Sequence, residues 1–157
     1  MSQQLSGSHF HTIDDKKRIR IPAPFRKELG SELYIGLGRG RGLFVMTKEE
    51  RDRQMEEAFG AIGFSDDSCS EELHKESLKK RGLSFAINED SQGRFIIPPP
   101  LLKFSGIKSS VITVGNGKRI EIWAEEKYWE YTGLADIFTS DEEKISEDED
   151  GEKDKAE

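Results

Sequence analysis

Short stretches in which apolar and polar residues alternate run through this 157-residue chain, and a period of two predicts β-strands. In one stretch Ile19 and Ile21 alternate with two arginines, so the strand has one apolar and one basic face. Phe95 and Ile97 form the apolar face of a similar stretch. The remaining predicted strands cover 10–13, 85–88 and, as a hairpin, 33–37 and 43–47.

Helices are predicted where start and stop signals flank a stretch without strict alternation. Residues 22–30 begin with proline and end with glycine, which predicts a short helix. Thr47 and Glu50 predict a capping box for a helix that runs to about Phe59. A last helix is predicted over 124–134. The mixture of short strands and helices predicts an α+β fold.

The chain repeats itself at an offset of 76 residues, because Asp14 matches Asp90 and Arg18 matches Arg94. The correspondence continues through further like-for-like pairs, the last two after a one-residue insertion: Pro22 with Pro98, Lys27 with Lys103, Gly30 with Gly106, Gly38 with Gly115 and Gly40 with Gly117. A duplication explains these matches, and two copies this short are expected to build one pseudo-symmetric domain.

A separate helix is predicted between the two copies. Ser68 and Glu71 predict its capping box, and it is expected to end near Arg81, with Gly82 beyond its end. The expected organisation has four parts: a first repeat over 1–67, a linking helix over 68–83, a second repeat over 84–139 and a disordered acidic tail over 140–157.

The negative charge is concentrated at one end of the chain. The whole sequence carries a net charge of −7, with 31 acidic and 24 basic residues. Residues 140–157 hold ten of the acidic and three of the basic residues, so the rest of the chain is balanced. We expect this segment to be disordered and to compete electrostatically for basic loops. The acidic pI therefore does not exclude a nucleic-acid partner.

Several classes of protein are disfavoured by what the sequence lacks. The single cysteine, Cys69, excludes an internal disulfide and a cysteine-based zinc site. The chain shows no signal-peptide pattern and no apolar stretch of about 18 residues, so a cytoplasmic protein without a membrane partner is expected. His9 and His11 could in principle share a metal, but without a further ligand beside them we expect strand-surface side chains.

Residues 36–42 alternate glycine with other residues, a pattern that superficially suggests a phosphate-binding loop. The spacing does not fit that motif, and the equivalent segment 115–118 also lies between apolar strands, so a hairpin turn is predicted. Arg39 and Arg41 could add phosphate contacts. No nucleophile elbow is present, and adjacent carboxylates do not face one another, so neither an enzyme, a cofactor nor a small-molecule substrate is expected.

The basic residues are better organised than any catalytic candidate. Residues 16–41 contain eight basic and two acidic residues, which alone is consistent with an ordinary solvated surface. The duplication favours a second explanation, since a β-ribbon with paired arginines can enter a DNA groove. The candidate DNA-binding residues are Asp14, Lys16, Lys17, Arg18, Arg20, Asp90 and Arg94.

Two copies of an Asp-x-x-x-Arg turn, each followed by an apolar strand and a proline, resemble the MraZ family of bacterial transcriptional regulators over residues 8–136. The resemblance implies a swapped-hairpin fold of the AbrB and MazE type, a double-split β-barrel fused as two copies. One departure is Lys17, where the family usually has glycine. A lysine at a turn position with positive φ is less favourable than glycine.

This resemblance implies a sequence-specific, nucleoid-associated regulator of the division and cell-wall gene cluster. Ring-like homo-oligomers would bind repeated promoter sites in double-stranded DNA through the paired turns. An alternative is an antitoxin-like module whose acidic tail binds a protein partner. An enzyme or an RNA-binding protein is a weaker third explanation, because single-strand binders need aromatic platforms on the basic face.

Overall fold

The computed structural model describes residues 4–60 and 69–138, so the predicted acidic tail, 140–157, lies outside the described residues. Helices and strands occur in one order twice, with an additional helix between the two sets. The elements are β1 (Ser8–Thr12), β2 (Arg18–Arg20), α1 (Ala23–Leu29), β3 (Leu33–Leu37), β4 (Leu43–Thr47), α2 (Lys48–Phe59), α3 (Glu71–Gly82), β5 (Phe85–Ala86), β6 (Arg94–Ile96), α4 (Pro99–Ser105), β7 (Ser110–Asn116), β8 (Arg119–Ala124) and α5 (Glu125–Thr132).

Strands from both halves of the chain are interleaved in one sheet. Its order is β1-β7-β8-β4-β3-β5, and every neighbouring pair is antiparallel. Strand β1 from the first half pairs with β7 from the second, and β5 from the second half pairs with β3 from the first. Strands β2 and β6 form a separate two-stranded ribbon. The α+β class is confirmed.

The sheet is open, and the closed barrel expected from the resemblance is not formed by the described residues. Its two edges are β1 and β5, and β5 contributes only two residues. The ribbon explains the difference, because β2 and β6 pair with each other and do not join either sheet edge.

The sheet has a packed layer on each face. On one face Ile19 and Phe95 of the ribbon, each 2% exposed, pack in one cluster with Ile35 and Ile120 of the sheet. On the other face Trp129 of α5 packs with sheet residues that include Trp123. Burial of the apolar side of the ribbon fixes its basic side toward solvent.

The α1 and α2 helices and the hairpin confirm the sequence predictions closely. The Thr47 hydroxyl accepts a hydrogen bond from the Glu50 main-chain N–H at 3.0 Å. The glycine run forms the predicted turn, in which the Gly38 N–H donates to the Gly42 carbonyl at 2.8 Å. A Cβ on Gly42 would lie 2.5 Å from the Trp123 ring, so this glycine is required by a tertiary contact.

The predicted cap of the linking helix is wrong. Ser70 caps α3 and its hydroxyl accepts from the Leu73 N–H at 3.0 Å, whereas the predicted Ser68 lies outside the described residues. Ser70 directly precedes Glu71 and Glu72, whose negative charges are favourable in the first turn of a helix. Gly82 is the last residue of α3 and does not lie beyond it.

Replacement of Leu101 by alanine is expected to destabilise the fold strongly. Leu101 lies in α4 and is 0% exposed within the main core, so truncation leaves a cavity. The expected loss in the free energy of unfolding is about 2–5 kcal/mol. Urea denaturation measures it, with Leu78→Ala as the matched control, because Leu78 on α3 is 61% exposed. Equal small effects of both substitutions would contradict the assignment of Leu101 to the core.

Candidate nucleic-acid interface

The first Asp-x-x-x-Arg segment is a tight turn organised by one carboxylate. Oxygen Oδ1 of Asp14 accepts hydrogen bonds from the main-chain N–H groups of Lys16 (2.9 Å) and Arg18 (2.8 Å). Oxygen Oδ2 accepts from Nε of the Arg18 guanidinium at 2.8 Å. The Asp14 N–H donates to the Arg18 carbonyl and closes the turn at the start of β2. The aspartate therefore both shapes the turn and orients the arginine.

The second segment reproduces the same hydrogen bonds. Oxygen Oδ1 of Asp90 accepts from the N–H groups of Gln92 (2.8 Å) and Arg94 (2.9 Å), and Oδ2 accepts from the Arg94 Nε at 3.0 Å. The arginine side chains are also similarly exposed, 26% for Arg18 and 27% for Arg94. The duplicated sequence thus builds two nearly equivalent arginine-presenting turns.

These hydrogen bonds favour the charged form of both aspartates. The largest cause is the main-chain N–H of the arginine, which lowers the pKa of Asp14 and likewise that of Asp90, opposed by partial desolvation. The arginine side chain lowers each pKa further. Both turns therefore hold an ionised carboxylate at neutral pH.

Lys17 adopts the backbone conformation that glycine adopts in the second turn. Its φ is +64°, and that of the equivalent Gly93 is +76°. The turn is retained despite the lysine, because Asp14 binds it in two ways. The Asp14 carboxylate accepts from the N–H groups of Lys16 and Arg18, and the Asp14 main-chain carbonyl accepts from the Lys17 N–H at 3.0 Å. Lys16 and Lys17 are both exposed at the tip of this turn.

The ribbon brings the two turns together. In the antiparallel register Arg18 lies opposite Ile96, Ile19 opposite Phe95, and Arg20 opposite Arg94. Ile19 and Phe95 face the core, so the flanking pairs share the solvent side. Arg20 also donates from Nε to the main-chain carbonyl of Gln92 in the other turn, at 2.9 Å. Three arginines from two distant segments therefore occupy one surface, which we call the ribbon face (Arg18, Arg20, Arg94 and Ile96).

Two other basic side chains of the segment 16–41, Arg26 and Arg41, bind groups of the protein itself. The Arg26 guanidinium binds the Glu89 carboxylate with an Nη2–Oε1 distance of 2.7 Å, and this neutralises its charge locally. Arg41 lies over the Phe104 ring, 5.7 Å from its centroid, and donates to the Phe104 carbonyl. The basic cluster is thus smaller than the sequence suggests.

Two side-chain contacts between the halves of the chain have no counterpart among the sequence predictions. The Arg26–Glu89 ion pair joins the first half to the second, and the carbonyl of Gln92 receives Arg20. Both contacts depend on tertiary structure, and a main-chain carbonyl carries no sequence signal. Side chains alternate along β6, so a strand that buries Phe95 turns Ile96 to the same outer face as Arg94. This alternation is the sequence pattern from which the exposure of Ile96 could have been predicted.

The surface interpretation of His9 and His11 is wrong. Both are half-buried on the core side of β1, where the His9 ring packs edge-on against Phe25. The ring of His11 is hydrogen-bonded to the Thr113 hydroxyl at 2.7 Å, and burial lowers the pKa of His11. No group of three or more metal-ligating side chains occurs within residues 4–60 and 69–138. None of the helices in the described part of the chain has the length and apolar character that crossing a bilayer requires.

The fold and the turns define a duplicated α+β protein that presents a basic two-stranded ribbon. A family model described as "MraZ protein, putative antitoxin-like" matches residues 84–148. The protein named transcriptional regulator MraZ of Finegoldia magna is 34% identical over 147 residues, which cover 86% of this chain and 91% of that protein. Its namesake from Oenococcus oeni is 32% identical over 144 residues, covering 90% and 96%. The chain belongs to the MraZ family.

The two turn aspartates are expected to make stability depend on pH in acid. Their folded-state pKa values lie below the unfolded value of about 3.9, so they stabilise the fold above about pH 4 and cease to do so as the pH falls through the folded-state values. The double variant Asp14→Asn, Asp90→Asn should therefore lose stability less steeply below about pH 4. Urea midpoints over a pH series measure this.

The exposed neighbour Asp15 provides the control for this measurement. The Asp15→Asn variant should follow the wild-type decline. If the double variant declined as steeply as the wild-type protein, the two turn carboxylates would not be the groups that couple folding to protonation.

Proposed function

We propose that this protein is a transcriptional regulator that binds double-stranded DNA at specific sequences through the ribbon face. One observation carries the proposal: Arg18, Arg20 and Arg94, from two distant segments, lie on one solvent-facing side of a two-stranded ribbon. The similar proteins that are named transcriptional regulator MraZ support the regulatory role.

The geometry of each turn suits an arginine to base or phosphate recognition. The aspartate accepts from Nε, so this hydrogen bond does not use the edge of the guanidinium that the two terminal nitrogens form. A planar guanidinium can donate two hydrogen bonds to guanine or phosphate, and a held side chain loses less conformational entropy on binding. Lys16 and Lys17, exposed at the tip of the first turn, would contact phosphates and position the ribbon.

Self-association would multiply this interface. We infer a homo-oligomer, ring-like as the family resemblance implies, in which several ribbon faces bind repeated promoter sites and raise affinity through effective concentration. The interleaving of β1 and β5 with the other half of the chain supports the swapped-hairpin interpretation and the division into two repeats. The proposed targets are sites upstream of the division and cell-wall gene cluster. Because these sites lie on the chromosome, we propose that the protein is cytoplasmic and associated with the nucleoid.

The antitoxin-like alternative is favoured by one observation, the wording of the family description. In that case residues 140–157, with their net charge of −7, would bind a protein partner. A stoichiometric partner that co-purifies with the full chain and is lost on deletion of 140–157 would support it. DNA binding that is unchanged by ribbon-face substitutions would be a further result in its favour.

Arg18→Ala and Arg94→Ala are each expected to weaken binding to the DNA upstream of this protein's own gene. Loss of a bidentate base contact costs about 1–3 kcal/mol, or roughly 5- to 150-fold in Kd. Fluorescence anisotropy with a labelled duplex measures the change, and random DNA of equal length measures the non-specific part. Both substitutions should reduce discrimination between the two duplexes.

Arg53→Ala is the matched control for this experiment. Arg53 is 51% exposed on α2, which lies on the sheet face opposite the ribbon, since Arg51 of α2 lies over the Tyr34 ring there. The variant should bind both duplexes like the wild-type protein. Wild-type affinity in both ribbon-face variants, with unchanged circular dichroism, would refute the assignment.

The protein is expected to be a stable oligomer at micromolar concentration. Exposed aromatic surface supports this, since Phe10 is 52% and Phe138 41% exposed and both rings contact the Trp129 ring. Sedimentation velocity across the micromolar range should give a species larger than the 17.8 kDa chain. A single monomeric species would contradict the proposed multivalent binding. It would not contradict the assignment of the ribbon face as the DNA-binding surface.

A further inference from the structure

The ribbon face contains one apolar residue among its arginines. Ile96 is 61% exposed, although its neighbours in sequence, Phe95 and Ile97, are 2% and 0% exposed in the core. The core therefore does not require an apolar side chain at position 96. A branched side chain suits a strand, but exposure of a large apolar group on a basic surface still calls for a further explanation.

The pseudo-symmetry of the ribbon makes this residue more informative. Ile19 and Phe95 are equivalent positions of the two copies and lie directly opposite each other, so the pseudo-two-fold axis passes between them. Under that symmetry Arg18 corresponds to Arg94, and Ile96 takes the place that Arg20 has in the first copy. The ribbon face therefore has an arginine–arginine pair at one end and an arginine–isoleucine pair at the other.

We propose that Ile96 is a specificity-determining residue that contacts the C5-methyl group of a thymine in the major groove. The inference rests on the proposed DNA binding and adds the chemistry of one recognised base. The thymine methyl is the apolar feature of the major-groove edge, and apolar side chains are its usual partners. The other end of the ribbon face, where Arg20 lies opposite Arg94, has no apolar side chain and favours guanine or phosphate.

The geometry limits where that thymine lies. Ile96 and Arg94 are two positions apart on one face of β6, which is about 6.8 Å along the strand. Successive bases on one DNA strand are about 3.4 Å apart, so the thymine is expected within about two base steps of the base or phosphate bound by Arg94. One protomer would then recognise an asymmetric sequence despite its pseudo-symmetric fold.

The test removes the methyl group from the DNA and the side chain from the protein in turn. Footprinting first delimits the site upstream of the protein's own gene. Each thymine in it is then replaced singly by deoxyuridine, which keeps every hydrogen-bonding group and lacks only the methyl. Wild-type protein should lose about fourfold in affinity at one position per protomer site, which corresponds to about 0.8 kcal/mol for one methyl group.

Three variants of the protein complete the experiment. Ile96→Ala should bind the thymine duplex more weakly and show no further loss with deoxyuridine at that position, whereas Ile96→Val should keep part of the sensitivity. Ile96→Arg should bind random DNA more tightly at low salt, with a salt slope greater by about one phosphate contact. Leu78→Ala, equally exposed on α3, is the control and should keep the wild-type pattern.

The outcomes separate this inference from the proposal on which it rests. If wild-type protein binds the site but is indifferent to every deoxyuridine substitution, the role of Ile96 is overturned and DNA binding stands. The same holds if Ile96→Ala, folded by circular dichroism, stays as sensitive as wild type. If the wild-type protein does not bind the upstream DNA, the proposed function itself fails.

Discussion

The antiparallel pairing of β2 with β6 is the contact on which the candidate interface depends. It places equivalent residues Ile19 and Phe95 opposite each other and buries both against the sheet. Since side chains alternate along a strand, that burial alone forces the flanking positions outward. A one-residue slip would bury arginines and expose the apolar pair, so the core specifies the register and with it the arrangement of the arginines.

On this ribbon the Asp–Arg contacts orient the arginine side chains more than they stabilise the fold. Ion pairs as exposed as Asp14–Arg18 and Asp90–Arg94 contribute little to folding, because water screens the two charges. Each aspartate nevertheless accepts two main-chain N–H groups as well as the guanidinium, so it fixes the turn and the side chain together. A recognition group that is already oriented before binding loses less entropy when it binds.

The acidic and basic residues are concentrated in different parts of the chain, and the net charge alone does not show this. The segment 140–157 accounts for the whole net charge of −7, while Arg26 is neutralised locally by Glu89 and Arg41 lies against Phe104. What remains is a narrow basic surface built from residues that are far apart in sequence. Its asymmetry, with Ile96 in the place of an arginine, gives one end of the ribbon a different chemistry from the other.

The sequence by itself determined the duplication, the hairpin 33–37 with 43–47, the Thr47 cap and the two turns, because each depends on residues close together in the chain. It failed where local signals compete, as at the cap of α3, and where burial decides, as for His11. Only the tertiary structure decided the interleaved open sheet, the Arg26–Glu89 pair and the arrangement of the ribbon face. Those features depend on which distant strands pair, and pairing is selected by the fit of buried surfaces that no local pattern encodes.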